Sequence, residues 1–174
     1  TRDQTQMTKE SEGGWYYQMI DLGYNYRMTD MQAALLISQL EKLPMFSKRR
    51  KEIVARYNEA FSRMPELTVQ QELEGSDSTR HLYILRIKPE KLRIDRRGFF
   101  DALAAENIMC NVHYIPIYLQ PYYQEMGYPK GLCPKAEKLY SEMMSLPLYY
   151  AMTDQDVEDV ITAVQKIVDY YKNK

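Results

Sequence analysis

The sequence is poor in the residues that build the simplest functional motifs. Two cysteines, Cys110 and Cys133, stand far apart in 174 residues, too few for a disulfide framework or a cysteine zinc site, and they suit a reduced intracellular protein. Seven glycines include neither a G-x-G-x-x-G nor a G-x-x-x-x-G-K-[ST] run, which excludes the common phosphate loops. Two histidines, His81 and His113, and no H-E-x-x-H spell no metal site. Net charge is nearly absent: 23 Lys+Arg oppose 24 Asp+Glu, so the basic footprint of a nucleic-acid binder or of a protein bound to anionic membranes is missing. The longest apolar run, Ala33 to Ile37, is far short of a bilayer span, and no signal-like segment opens the chain. The expectation is a cytoplasmic protein with neither nucleic acid nor membrane as partner.

What is present is a core-forming composition, 45% hydrophobic, with 16 tyrosines. At this length one compact unit, or one domain with an appended arm, is expected. Tyrosine joins an apolar ring to a hydroxyl that needs a partner, so its abundance suits a cleft or an interface as well as a tyrosine-rich core. The opening at Thr1, without an initiator Met, reads as a piece of a larger chain.

Residues 1–14 are polar and read as a loop or arm. Trp15 to Arg27 is aromatic and extended in character. Thr29 followed by Gln32 spells a capping box that starts a helix, and Met31, Leu35, Leu36, Leu40 and Leu43 make that helix apolar over most of its circumference. Pro44 is expected to open a second helix that carries Phe46, Ile53, Val54, Tyr57, Phe61 and Met64 and stops at Pro65. Glu52 and Arg56 are spaced as an i,i+4 pair. Lys48-Arg49-Arg50-Lys51 points around the whole circumference and reads as solvated surface. His81 to Lys88 reads as a strand, and Asp95 caps a helix with Phe99, Ala102 and Leu103 inward. Met109 to Tyr114 reads as a second strand, with Cys110, Val112 and Tyr114 on one buried face and Asn111 and His113 on the other. A short helix from about Pro134 to Met144 precedes an extended step at Leu146-Pro147-Leu148. The last helix, capped by Thr153, carries the clearest apolar stripe, from Val157 to Tyr171. The order αα-β-α-β-α-α is an α+β layer fold behind a helical arm.

Two places can carry chemistry. Asn25 and Arg27 lie two apart in an extended segment just before a capped helix, so an amide and a guanidinium leave one face while Tyr24 and Tyr26 leave the other. That pair near a helix N-terminus suits a phosphate or carboxylate oxygen, although spacing alone favours a turn residue and a loop tie. His113, bordering Tyr114-Ile115-Pro116-Ile117-Tyr118, either lines a tyrosine-walled cleft or is a hydrogen-bonded histidine at a sheet edge. His81 reads as structural and the methionines as core filler. Neither paired carboxylates nor a nucleophile elbow is evident, so the residues alone spell no catalytic apparatus.

The run from Leu22 to Leu43, LGYNYRMTDMQAALLISQLEKL, resembles the hallmark of the pyridoxal-phosphate-dependent nucleotide-sugar aminotransferases of the DegT/StrS family. So do Arg80-His-Leu-Tyr83, Val112-His-Tyr-Ile-Pro-Ile117 and Ser145-Leu-Pro-Leu148 followed by Met152-Thr-Asp154, in the family's order. With Gln120-Pro-Tyr-Tyr123 the chain is most similar to transaminases that act on UDP-4-keto-6-deoxy sugars in pseudaminic acid synthesis. The resemblance implies the C-terminal part of a fold-type I aminotransferase, because the Schiff-base lysine, the aspartate on the pyridine nitrogen and the stacking aromatic are not found here; Thr1-Arg-Asp resembles a stretch a little beyond the lysine motif. It implies residues 1–28 as the end of the large domain, 29–64 as connecting helices and 65–174 as the small α+β domain. It also implies a homodimer in which Asn25 reaches the phosphate of the partner subunit's cofactor, Arg27 lies near the same site facing a carboxylate of the amino donor, expected to be glutamate, and His113 and Tyr114 border the nucleotide-sugar pocket. Two other readings stay open: a non-catalytic sugar-nucleotide-binding or dimerisation domain, and a dehydratase of the same family that carries histidine in place of the lysine.

Overall fold

The computed structural model describes residues 1–173. Its elements are α1 (Asp30–Phe61), β1 (Leu67–Val69), β2 (Tyr83–Ile87), α2 (Arg96–Ala105), α3 (Pro121–Glu125), α4 (Pro134–Glu142), β3 (Met143–Leu146) and α5 (Asp154–Tyr171). They divide into two compact units, one from Thr1 to Glu41 and one from Lys42 onward, with α1 running through the division. The α+β class expected from the sequence is the class observed.

In the first unit the polar arm is tied by its own ends: the Thr1 ammonium donates to the Gln18 carbonyl at 2.6 Å, and the Gln18 side chain bonds Thr8 and the Lys9 carbonyl. Residues 21–30 are exposed throughout. The capping box at α1 is present. Gln32 N–H donates to Thr29 Oγ1 at 3.3 Å and Thr29 N–H to Gln32 Oε1 at 3.0 Å, so each otherwise orphan backbone donor is satisfied by the other residue's side chain.

The second unit holds the core. Ile53, Val54, Tyr57 and Phe61 are buried on α1, and Tyr57 meets Tyr83 of β2 edge to face at 4.9 Å. Both phenols find partners, as buried tyrosines must: Tyr57 donates to the Pro147 carbonyl at 3.0 Å and Tyr83 to Asn58 Oδ1 at 2.8 Å. The sheet is antiparallel in the order β1-β2-β3. Tyr83, Leu85 and Ile87 alternate inward along β2, matching the expected period of two. Asp95 caps α2 by accepting from Gly98 N–H at 2.9 Å, and Phe99 and Leu103 are buried. α5 begins with a Thr153–Asp156 capping box and buries the stripe Val157, Val160, Ile161, Val164, Ile167 and Val168.

Four expectations are corrected. Pro44 lies inside one continuous helix, α1, instead of opening a second. The intrahelical bond that proline cannot make would have gone to the Leu40 carbonyl; both residues are exposed, so solvent satisfies that oxygen and the helix continues. The basic run is not a uniform solvated surface. Arg49 donates to the Met152 carbonyl at 2.7 Å and to Asp154 at 2.9 Å, and Arg50 Nη1 donates to the carbonyls of Arg80, His81 and Leu148 at 3.1, 3.0 and 3.2 Å. Arg56 pairs with Asp154 and Glu158 across the helix interface rather than with Glu52. Finally, Met109–Tyr114 is not a strand: only Asn111 bridges, to Ser145. The Asn111 side chain takes the Val112 N–H at 2.7 Å, which withdraws it from any ladder after one rung. Cys110 and Val112 are half-buried and Tyr114 is exposed, so the expected buried face does not form.

Candidate functional site

The two groups of residues singled out by sequence fall in different units. In the first unit, Asn25 and Arg27 sit in the exposed segment that leads into the capped N-terminus of α1. Tyr24 and Tyr26 stack on each other at 5.2 Å with an interplanar angle of 15°. Among the described residues neither the Asn25 amide nor the Arg27 guanidinium has a hydrogen-bond partner, although both are strong donors. Arg27 does not tie down its loop. Two unengaged donors, one of them cationic, two and four residues ahead of the cap at the positive end of a helix can hold an anionic oxygen. Arg27 also rims a shallow recess of about 580 Å³ whose floor is apolar, with Met28, Leu35 and Leu36 among its walls. On the same helix Met31, Leu36, Ile37, Leu40 and Leu43 are exposed.

In the second unit His113 is half-buried, with Nδ1 2.8 Å from the hydroxyl of buried Ser145. Its ring meets Tyr114 edge to face at 4.7 Å, and Tyr114 is 75% exposed. Asn111, two residues earlier, exchanges both backbone hydrogen bonds with Ser145, so β3 holds this segment by backbone and side chain together. The stretch that follows is fixed rather than loose. Buried Tyr118 donates to Glu137 at 2.8 Å and accepts from Cys133 N–H at 3.2 Å, while Gln124 donates to the carbonyls of Tyr118 and Tyr128, both at 2.6 Å. The Gly131 N–H and then the Tyr118 hydroxyl hold the Glu137 carboxyl below the usual carboxylate range. Burial pushes the Cys110 thiol up to about 12, which marks it as core filler without nucleophilic use. His81 is exposed and lends only its carbonyl, to Arg50.

Sequence reasoning passed over Ser145 as a partner of His113, Arg50 as a clamp and Arg80. Arg80 is buried with φ of 51° and pairs with Glu72 at 2.9 Å. Among the described residues no lysine is buried; eleven are exposed or, for Lys88, half-buried with Nζ on the Pro65 carbonyl. No cluster of three or more His, Cys, Asp or Glu is placed to hold a metal among these residues, and none of their helices is long and apolar enough to cross a membrane.

A three-stranded antiparallel sheet flanked by helices is a fold shared with part of solved aminotransferase structures. Residues 2–165 match the model of the DegT/DnrJ/EryC1/StrS aminotransferase family, and the chain belongs to that family. It is 45% identical over 159 residues to the uncharacterized protein MJ1066 of Methanocaldococcus jannaschii and 42% identical over 160 residues to the spore coat polysaccharide biosynthesis protein SpsC of Bacillus subtilis. In each case 91% of this chain is covered but only 41% of the relative, so the chain spans about two fifths of their length. Among solved structures, the PMP form of the putative sugar aminotransferase Spr1654 from Streptococcus pneumoniae superimposes with a TM-score of 0.79 at 30% identity, over 98% of this chain and 42% of that one. Helicobacter pylori PseC, an aminotransferase of pseudaminic acid biosynthesis, does so with a TM-score of 0.73 at 26% identity, over 92% and 43%.

Proposed function

We propose that this chain is the C-terminal portion of a longer pyridoxal-phosphate-dependent aminotransferase that moves an amino group from glutamate to the keto carbon of a nucleotide-linked sugar in amino-sugar and cell-surface polysaccharide biosynthesis. The observation that carries the reading is the family match over residues 2–165, joined to an arm whose Asn25 amide and Arg27 guanidinium are exposed and have no hydrogen-bond partner among the described residues. The sequence resemblance implies a UDP-4-keto-6-deoxy sugar as the substrate, and the similarity to PseC, an aminotransferase of pseudaminic acid biosynthesis, supports an amino-sugar pathway of that kind. In this reading residues 1–28 close the large domain, 29–64 connect, and 65–174 form the small domain.

The residues present fit one part of the cofactor's needs. Asn25 would donate its amide N–H to the phosphate of the cofactor held by the partner subunit of a homodimer, and Arg27 would face a carboxylate of the amino donor, where its planar fork binds two oxygens at once. His113 and Tyr114 would border the sugar nucleotide. The described lysines do not fit the covalent post: a lysine that attacks a carbonyl must lose its proton, and that needs a desolvated or electropositive setting which exposed ammonium groups lack. Bound pyridoxal phosphate supplies the electron sink for the transfer, while this chain binds and orients.

Borohydride reduction in the presence of pyridoxal phosphate tests the division of labour. The longer enzyme is expected to take up one label per subunit on a lysine outside these 174 residues, and the chain alone none. A single lysine of this chain labelled to completion, with turnover to match, would overturn the reading.

A further inference from the structure

We propose that Ser145 is a positioning residue for His113: its hydroxyl donates to Nδ1 and holds the imidazole in the tautomer whose Nε2 carries the proton, presenting an N–H donor to the sugar nucleotide. The proposal rests on the reading of His113 as a pocket residue and goes beyond it by assigning the chemistry of the ring.

Ser145 lies within β3 with most of its bonding capacity already used. It is 5% exposed, and its backbone N–H and carbonyl are both spent on Asn111, at 2.7 and 3.2 Å. Its hydroxyl has one partner among the described residues, His113 Nδ1 at 2.8 Å. A neutral imidazole offers one donor and one acceptor nitrogen, and a hydroxyl can serve either. If the hydroxyl accepted from an Nδ1–H, its own proton would be left in a buried site with no acceptor, and burying an unpaired donor is costly. If it donates to an unprotonated Nδ1, both groups are satisfied. The second arrangement places the ring proton on Nε2, which has no partner among the described residues. An N–H there complements the acceptor oxygens of phosphates and sugar hydroxyls, whereas a lone pair would repel them. The Asn111–Ser145 bridge fixes the backbone two residues before His113, so the ring is set by its own strand neighbour and not by a mobile loop.

The test uses ring-nitrogen NMR of the 174-residue chain above the ordinary imidazole titration range. With two histidines in the sequence, a His81→Gln variant leaves the His113 signals alone. The wild-type spectrum is expected to show a protonated Nε2 and an unprotonated, hydrogen-bonded Nδ1. Ser145→Ala should mix the tautomers, and Ser145→Thr, which keeps the hydroxyl, should restore the wild-type pattern. In the longer enzyme Ser145→Ala should raise KM for a UDP-4-keto-6-deoxy sugar by roughly 3- to 10-fold, the loss expected for one hydrogen bond, and leave the glutamate half-reaction unchanged. A wild-type Nδ1–H overturns the proposal whether or not the variants fold, and so does an unmoved tautomer in Ser145→Ala. If the tautomer responds while the sugar KM does not, the placement of His113 in the pocket is what fails, and the role toward the sugar falls with it.

Discussion

Four consecutive cations on α1 should differ sharply in what they contribute to stability, and Arg50 is the one to remove. Its Nη1 donates to three main-chain carbonyls, those of Arg80, His81 and Leu148. Two of these lie at the entry to β2, and the third lies two residues beyond β3. The Arg80 backbone is in the left-handed region with φ of 51°, where a non-glycine residue carries a conformational penalty. A hydrogen bond to a charged donor is worth about 1.5–3 kcal/mol. Three acceptors sharing one nitrogen do not add, so Arg50→Leu, which keeps some of the apolar stem, should cost about 2–3 kcal/mol. Lys48→Leu, at an exposed position of the same run, should stay within about 0.5 kcal/mol of wild type. Urea unfolding of the chain followed by tyrosine fluorescence and circular dichroism gives both differences from the midpoints, provided the slopes agree. Equal and small effects for the two substitutions would show that the run is solvated surface after all and refute the clamp.

Glu142 offers a pH test. Burial would raise its carboxyl, but hydrogen bonds from Lys138 and Arg86 and their charges outweigh this and leave it below the usual value of 4.5. A carboxyl lowered on folding stabilises above its unfolded value and loses that contribution as pH falls through the folded one. Glu142→Gln is therefore expected to destabilise by about 1–3 kcal/mol near neutrality and to converge with wild type as pH falls through the lowered folded value of this carboxyl, as read by thermal unfolding across pH; a gap that persists at the most acid pH at which the fold survives would contradict the ion-pair account. Asn25→Ala in the longer enzyme should speed loss of pyridoxal phosphate on dialysis several-fold, while a retained cofactor would remove Asn25 from the phosphate site. The exposed apolar residues of α1 should make the chain self-associate, and Leu36→Glu with Leu40→Glu should shift its sedimentation to monomer; a wild-type chain that stays monomeric at every concentration would count against the homodimer.

Much of the fold was legible because it is written locally. The capping boxes at Thr29 and Thr153 and the α5 stripe depend on side chains three or four residues apart, so spacing is enough to read them. The period of two along β2 is equally local. The misses are tertiary. Nothing within the neighbourhood of Pro44 says that solvent would receive the Leu40 carbonyl. Nothing near Arg50 says that carbonyls from residues 80, 81 and 148 would converge on it. β1 is three residues long, too short to carry a period. The strand expected at Met109–Tyr114 had the right alternation but lost its ladder to the Asn111 side chain. The candidate site divides in the same way. The amide and guanidinium pair could be read from two residues of spacing before a cap. The partner that orients His113 lies 32 residues downstream, and sequence alone gives no signal that joins them.

Amino transfer to a sugar nucleotide can be followed step by step in stoichiometric half-reactions of the longer enzyme. Glutamate alone should convert the bound cofactor from its pyridoxal to its pyridoxamine absorbance with release of one 2-oxoglutarate per site. Adding a UDP-4-keto-6-deoxy sugar should then restore the first spectrum and yield one amino sugar, identified by mass. A cofactor spectrum unmoved by glutamate and by other amino donors, or a sugar that emerges dehydrated and without nitrogen, would contradict the account.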